Sequence, residues 1–180
     1  MLHLHAAKKL LNTSRLKSEL LVTEKPTEQL MHDWYVAFTG MGWPGKTLVC
    51  YFHYPSLLMV TATGRSIQTT YPAFRQRLRT LLVRKGFPQD FMEREWGMTD
   101  TYVVGKTSNR SMLACINQAL FSVDDRIREF HTFETVDLDW IENMQMENLH
   151  GINKGEFMTP IEYWQQALGC SLIKETRWRI

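Results

Sequence analysis

Cysteine is scarce in this chain: Cys50, Cys115 and Cys170 are the only three in 180 residues. An odd count at wide spacing is no disulfide framework, and no C-x-x-C pair is present to begin a zinc site. Such thiols predict a reducing, cytoplasmic setting. No apolar run approaches the roughly 18 residues of a membrane span, so no membrane association is expected. The start, Met1 to Lys9, lacks a basic stretch ahead of an apolar one and does not read as a secretory leader. Six prolines and ten glycines are too few for a collagenous or low-complexity class, and 44% hydrophobic residues suit an ordinary globular chain. Net charge is small as well, +2, so bulk charge alone points to no polyanionic partner.

The small net charge hides an uneven distribution. Residues 1–90 carry 12 Lys and Arg against 5 Asp and Glu; residues 91–180 carry 9 against 14. A basic half and an acidic half mean either a basic binding face or two halves that attract each other in the fold. Methionine and tryptophan are well supplied, at ten and six. They fill a core or a sticky interface, which makes a homo-oligomer one candidate arrangement.

Apolar patterning predicts a single domain, 1–180, sheet-rich over 1–106 and helical over 107–180. Leu2 to His5 alternates as a short strand. Lys8 to about Leu21 is weakly helical. Trp34–Thr39 and Thr47–His53 flank a Gly/Pro turn and predict a hairpin, with Leu57–Thr63 as a third strand. Pro72 to Gly86 reads as a helix with proline in its first turn and glycine at its end. Pro88 to Trp96 reads as a second short helix, and Thr101–Lys106 as another strand. Asn109 to Phe130 is amphipathic at helical spacing. Asp137 caps a further helix, Asn148–Gly155 reads as a loop, and Thr159-Pro160 opens a last helix ending at Gly169. Strands early and helices late predict an α+β fold: an antiparallel sheet of four to five strands with helices packed on one face.

The strongest candidate site is Lys106-Thr107-Ser108-Asn109-Arg110-Ser111, where a strand hands over to the long helix. The first N–H groups of a helix have no internal partner and its dipole adds partial positive charge there. Hydroxyls, an amide and two cations around such a helix start make an anion or phosphate site, although the P-loop pattern is absent. Asn117, two turns on, extends the same polar strip. The bland alternative is a well-capped helix with solvated cations.

Other constellations are less specific. His3 and His5 share one side of a strand. With a third ligand such as His32, Asp33 or His53 they could begin a metal site, but no metal-binding spacing supports it. The sequence therefore assigns no metal and no cofactor, and His5 stands as the candidate acid–base residue. Arg75, Arg77, Arg79, Arg84 and Lys85 lie on one helix without an acid, a candidate nucleic-acid contact. Their placement on both flanks of an apolar stripe suits stems covering its edges equally well.

Three blocks resemble a family of uncharacterised bacterial proteins known as a domain of unknown function. They are Met1-Leu2-His3-Leu4-His5-Ala6-Ala7-Lys8-Lys9-Leu10-Leu11, where relatives read M-L-x-L-H-C-T-K-K-L-L; Asp33-Trp34-Tyr35-Val36-Ala37; and Lys106 to Asn117, where relatives read K-T-x-N-R-S-x-L-G-S-M-N-D. The likeness reaches about residue 130, and Pro160-Ile161-Glu162 is also similar. Ala6-Ala7, Ala114-Cys115 and Gln118 depart from the pattern. The resemblance implies a compact bacterial protein and no particular activity, and it draws attention to His5, Lys106, Asn109, Arg110, Ser111 and Asn117. The first functional expectation is a binding or regulatory module for nucleic acid or a protein partner. The alternative is a small enzyme or ligand-binding protein for a phosphate-bearing substrate held at Lys106–Ser111.

Overall fold

The computed structural model describes residues 1–16, 30–40, 43–107, 109–153 and 156–174. In chain order the elements are β1 (Leu2–Ala6), α1 (Lys8–Ser14), β2 (Asp33–Gly40), β3 (Thr47–His53), β4 (Met59–Thr63), α2 (Ile67–Arg84), α3 (Gln89–Trp96), β5 (Tyr102–Lys106), α4 (Arg110–Ile127), α5 (Leu138–Met146), β6 (His150–Asn153), β7 (Glu156–Met158) and α6 (Pro160–Leu168). The α+β class is as expected. The first helix stops at Ser14, where Arg15 takes the left-handed conformation as its C-cap, short of the predicted Leu21; residues 17–21 lie outside the described residues.

The main sheet has the order β4-β3-β2-β1-β5. It is mixed, which corrects the antiparallel expectation. The aromatic run of β2 and β3 forms the antiparallel hairpin, and β4 continues the meander. β1, however, pairs in parallel with β2 on one side and with β5 on the other. Parallel neighbours need long crossovers. The chain supplies them between β1 and β2, through α1, and between β4 and β5, through α2 and α3.

The helices occupy both faces, a second correction. Leu10 and Leu11 of α1, Phe74 and Leu78 of α2, Phe91 of α3 and Trp164 of α6 pack with Leu2, Leu4, Trp34 and Tyr51. Met112, Ile116 and Val123 of α4 and Ile141 of α5 pack with Tyr35, Leu48, Cys50 and Phe52 on the other face. A strand covered on both sides is apolar at every position; Leu48 to His53 of β3 is buried throughout.

Two element boundaries also move. α2 begins a turn before Pro72, with Ser66 accepting from the Thr69 N–H, so the proline lies inside the helix. The predicted loop after Asn148 contains the β6–β7 hairpin. α6 is as read, with the Thr159 and Glu162 side chains exchanging capping hydrogen bonds. No helix among the described residues is long and apolar enough to cross a membrane.

Candidate functional site

β1 and β5 lie side by side with His5 level with Gly105 and Ala6 level with Lys106. From β1 the chain enters α1, on the Trp34 face. From β5 it enters α4, on the Tyr35 face. α4 runs back along the sheet: its first turn lies beside Tyr54 and Pro55, where the Tyr54 N–H bonds the Asp33 carbonyl at the start of β2, and Asp124 near its other end accepts from Thr39 near the end of β2.

At the start of α4 Asn109 is the cap, its side-chain carbonyl accepting from the Met112 N–H at 3.0 Å. The first turn contains no acid to offset the positive end of the helix dipole. Lys106 and Arg110, on either side of the cap in sequence, are exposed. Lys8 and Lys9 are exposed on α1, where Lys9 Nζ rests 4.9 Å from the centre of the Phe38 ring. Asn109 and Ser111 also line a cavity of about 70 Å³ with Tyr54, Pro55, Leu57, Met112, Cys115 and Gly151. Within it the Cys115 thiol donates to the Gly151 carbonyl at 3.6 Å. Thr107 is half-buried beside Lys106, and Asn117 is exposed farther along α4. Ser108 lies outside the described residues.

His5 connects to this cavity through aromatic rings. It stacks on Tyr35 at 4.7 Å, and Tyr35 lies 6.1 Å from Tyr54 at the cavity wall. Its Nε2–H donates to Asp33 Oδ1 at 3.0 Å, a bond between buried side chains. Burial opposes ionisation of Asp33, yet the His5 hydrogen bond and the neighbouring imidazoles of His5, His32 and His3 outweigh it and hold the carboxyl below its ordinary range.

The possible metal ligands separate into two groups. His3, His32 and Asp33 gather where β1 and β2 begin, with ligand atoms all within 4.8 Å of one another. His53 takes the opposite face. It is enclosed, with Nε2–H donating to the Leu30 carbonyl and Nδ1 accepting from Ser56, both at 2.7 Å. Trp164 Nε1–H reaches the same Ser56 oxygen at 3.0 Å. Burial lowers the His53 pKa to about 4, so this histidine is a neutral core residue. Asp33 and His32 carry little signal in sequence; the parallel register that sets Asp33 level with His3 is what joins them.

The arginines of α2 bind within the molecule. Arg75 pairs with Asp100 and Thr99. Arg77 lies 2.8 Å from Asp139 and 2.9 Å from Glu142; Arg84 reaches the same two acids at 2.9 and 3.5 Å. Arg79 lies over the Trp96 ring at 5.5 Å, and Lys85 is buried. The basic first half and acidic second half thus attract each other across α2, α5 and the turn before β5.

A family model described as Domain of unknown function (DUF6933) matches residues 3–163, farther than the sequence blocks alone reached. No curated protein matches the chain.

Proposed function

The chain belongs to the DUF6933 family, a domain of unknown function, and from its geometry we propose that it binds a phosphate-bearing ligand at the β5–α4 junction. The observation that carries this reading is the start of α4: an Asn109-capped, acid-free first turn with exposed Lys106 and Arg110 beside it in sequence, next to the cavity that Asn109 and Ser111 line with Tyr54. Lys106 and Arg110 neutralise the anion, the free amides at the helix start point toward it, and Thr107 and Ser111 supply hydroxyls. Asn109 keeps the helix start in place, and Asn117 extends the polar strip away from it. The cavity behind Asn109 and Ser111 takes a small uncharged portion of the ligand. If the ligand is turned over, His5 is the acid–base candidate, acting through the Tyr35 and Tyr54 side; its burial argues for a positioning role instead.

The other expectation was a module for nucleic acid or a protein partner. The arginine helix lends nucleic acid no support, since Arg75, Arg77 and Arg84 are held in ion pairs. A protein partner, including a second copy, is favoured by a groove of about 490 Å³ between α2 and α3, lined by Leu82, Val83, Met92 and Trp96. Calorimetric titration with inorganic phosphate, a nucleoside monophosphate and a short RNA at two salt concentrations separates these readings. Phosphate or nucleotide binding that weakens on Arg110→Ala supports the first. Binding of RNA alone, with steep salt dependence, refutes it.

A further inference from the structure

We propose that His3, His32 and Asp33 form a site for one divalent transition-metal ion of the zinc(II) or cobalt(II) kind, at the beginning of β1 and β2. The parallel register sets His3 level with Asp33, and the His3 N–H donates to the His32 carbonyl at 2.9 Å, so the backbone itself brings the three together. His3 Nδ1 stands 3.7 Å from Asp33 Oδ1, and His32 Nδ1 stands 3.7 Å from Asp33 Oδ2. Two imidazole nitrogens thus face the two oxygens of one carboxylate.

That spacing is too long for a hydrogen bond, which needs about 2.7–3.2 Å. It is close to the separation of two atoms that share a cation. With metal–ligand bonds of about 2.0–2.2 Å in a tetrahedron, neighbouring donors lie roughly 3.3–3.6 Å apart. The three ligand atoms lie within 4.8 Å of one another, so side-chain movements of about an ångström close the set around one ion. His3 Nδ1 is buried and has no hydrogen-bond partner among the described residues, so a donor pointed at this space is otherwise unused.

The His3 and His32 rings touch, their centres 3.9 Å apart, which holds both imidazoles beside the Asp33 carboxylate. His5 completes the arrangement. Its hydrogen bond to Asp33 Oδ1 orients the carboxylate as outer partners of metal ligands do.

Two imidazoles and one carboxylate suit zinc, cobalt, nickel or iron rather than calcium or magnesium, which take oxygen. Three protein ligands leave a position for water or a ligand oxygen, and the His32 side chain is 25% exposed on that side. The metal ligands belong to β1, β2 and the residue before β2, the anion site to the start of α4, and no residue serves as a ligand in both, so either site can fail alone.

The test uses full-length protein without a polyhistidine tag, freed of metal and titrated with cobalt(II). The expected result is one equivalent bound, with visible d–d absorption of a four- or five-coordinate centre. His3→Gln and His32→Gln each weaken binding by more than about 100-fold, and His5→Gln by about 10–100-fold. The exposed His131 serves as control, and His131→Gln changes nothing. His32 is partly exposed, so His32→Gln is the variant that best keeps the fold. X-ray absorption of the wild-type cobalt complex identifies the ligands without any variant: two imidazoles support the site. Less than one equivalent at 100 μM cobalt (roughly the weakest affinity of a usable site), an unchanged affinity in folded His32→Gln, or no imidazole in the absorption spectrum overturns it.

Discussion

His5 Nε2 and Asp33 Oδ1 meet at 3.0 Å across the parallel pair of β1 and β2. Both side chains are buried, and the hydrogen bond fastens the middle of one strand to the start of the next. Replacing Asp33 by Ala leaves the His5 N–H without its acceptor. The expected cost is about 1.5–3 kcal/mol, read as a lower midpoint in denaturant unfolding at pH 7. Asp33→Asn, which keeps an acceptor oxygen, costs less.

The same carboxylate sets an acid limit. Its folded pKa is below the ordinary value of 3.8, so the unfolded chain takes up the proton first as pH falls. The stability from Asp33 is complete above about pH 4 and is lost as pH drops through its folded value. Unfolding midpoints measured from pH 5 to pH 2 should fall less steeply in Asp33→Asn than in the wild type.

His53 acts at higher pH. Its folded pKa is lowered to about 4 from 6.5 by burial. As pH falls below 6.5 the unfolded chain therefore binds a proton, while the native core does not until about pH 4. Stability is present above pH 6.5, declines through this window, and the loss reaches about 3 kcal/mol below pH 4. Ring-nitrogen NMR should show His53 neutral at pH 5.5. A titration midpoint near 6.5 would contradict its enclosure between Leu30, Ser56 and Trp164.

Glu142 joins the two helical layers at the sheet edge. Its Oε1 accepts from the Thr61 N–H at 2.8 Å and the Thr61 hydroxyl at 2.9 Å, and Arg77 lies 2.9 Å from Oε2. The carboxylate thereby covers a backbone donor of the edge strand β4. Glu142→Ala leaves the buried Thr61 N–H and hydroxyl unmatched while Arg77 keeps Asp139, with an expected loss of about 1–3 kcal/mol. Burial raises the Glu142 pKa although Arg77 and Thr61 oppose the rise. Glu142→Gln, which removes the charge and keeps the oxygen, should therefore be the milder change in thermal unfolding.

Much of the fold is readable in sequence because its signals are local. The β2–β3 hairpin, α4 and the Thr159–Glu162 cap each depend on residues a few positions apart. The parallel insertion of β1 between β2 and β5 has no local signal, and the histidine–aspartate cluster depends on it entirely. Helices on both faces had a signal: β3 is apolar at successive positions, which a one-sided sheet would not require. The start of α2 was placed late because Pro72 is a frequent first-turn residue, whereas Ser66 supplies the actual cap. At the candidate site, Lys106, Asn109 and Arg110 were legible as a helix start. Tyr54 was not, since only the packing of α4 on the sheet brings it beside Asn109. The likeness of the opening and Lys106–Asn117 blocks to a domain of unknown function is borne out by the match over residues 3–163.

The most direct test of the phosphate reading is an amide NMR titration with inorganic phosphate and a nucleoside monophosphate. The predicted result is saturable shifts centred on residues 106–112, with affinity at least about 5-fold weaker in Arg110→Ala, the loss of one charge-assisted contact. Shifts that never saturate by about 10 mM, weaker than any functional affinity, or that centre elsewhere on the surface would contradict it.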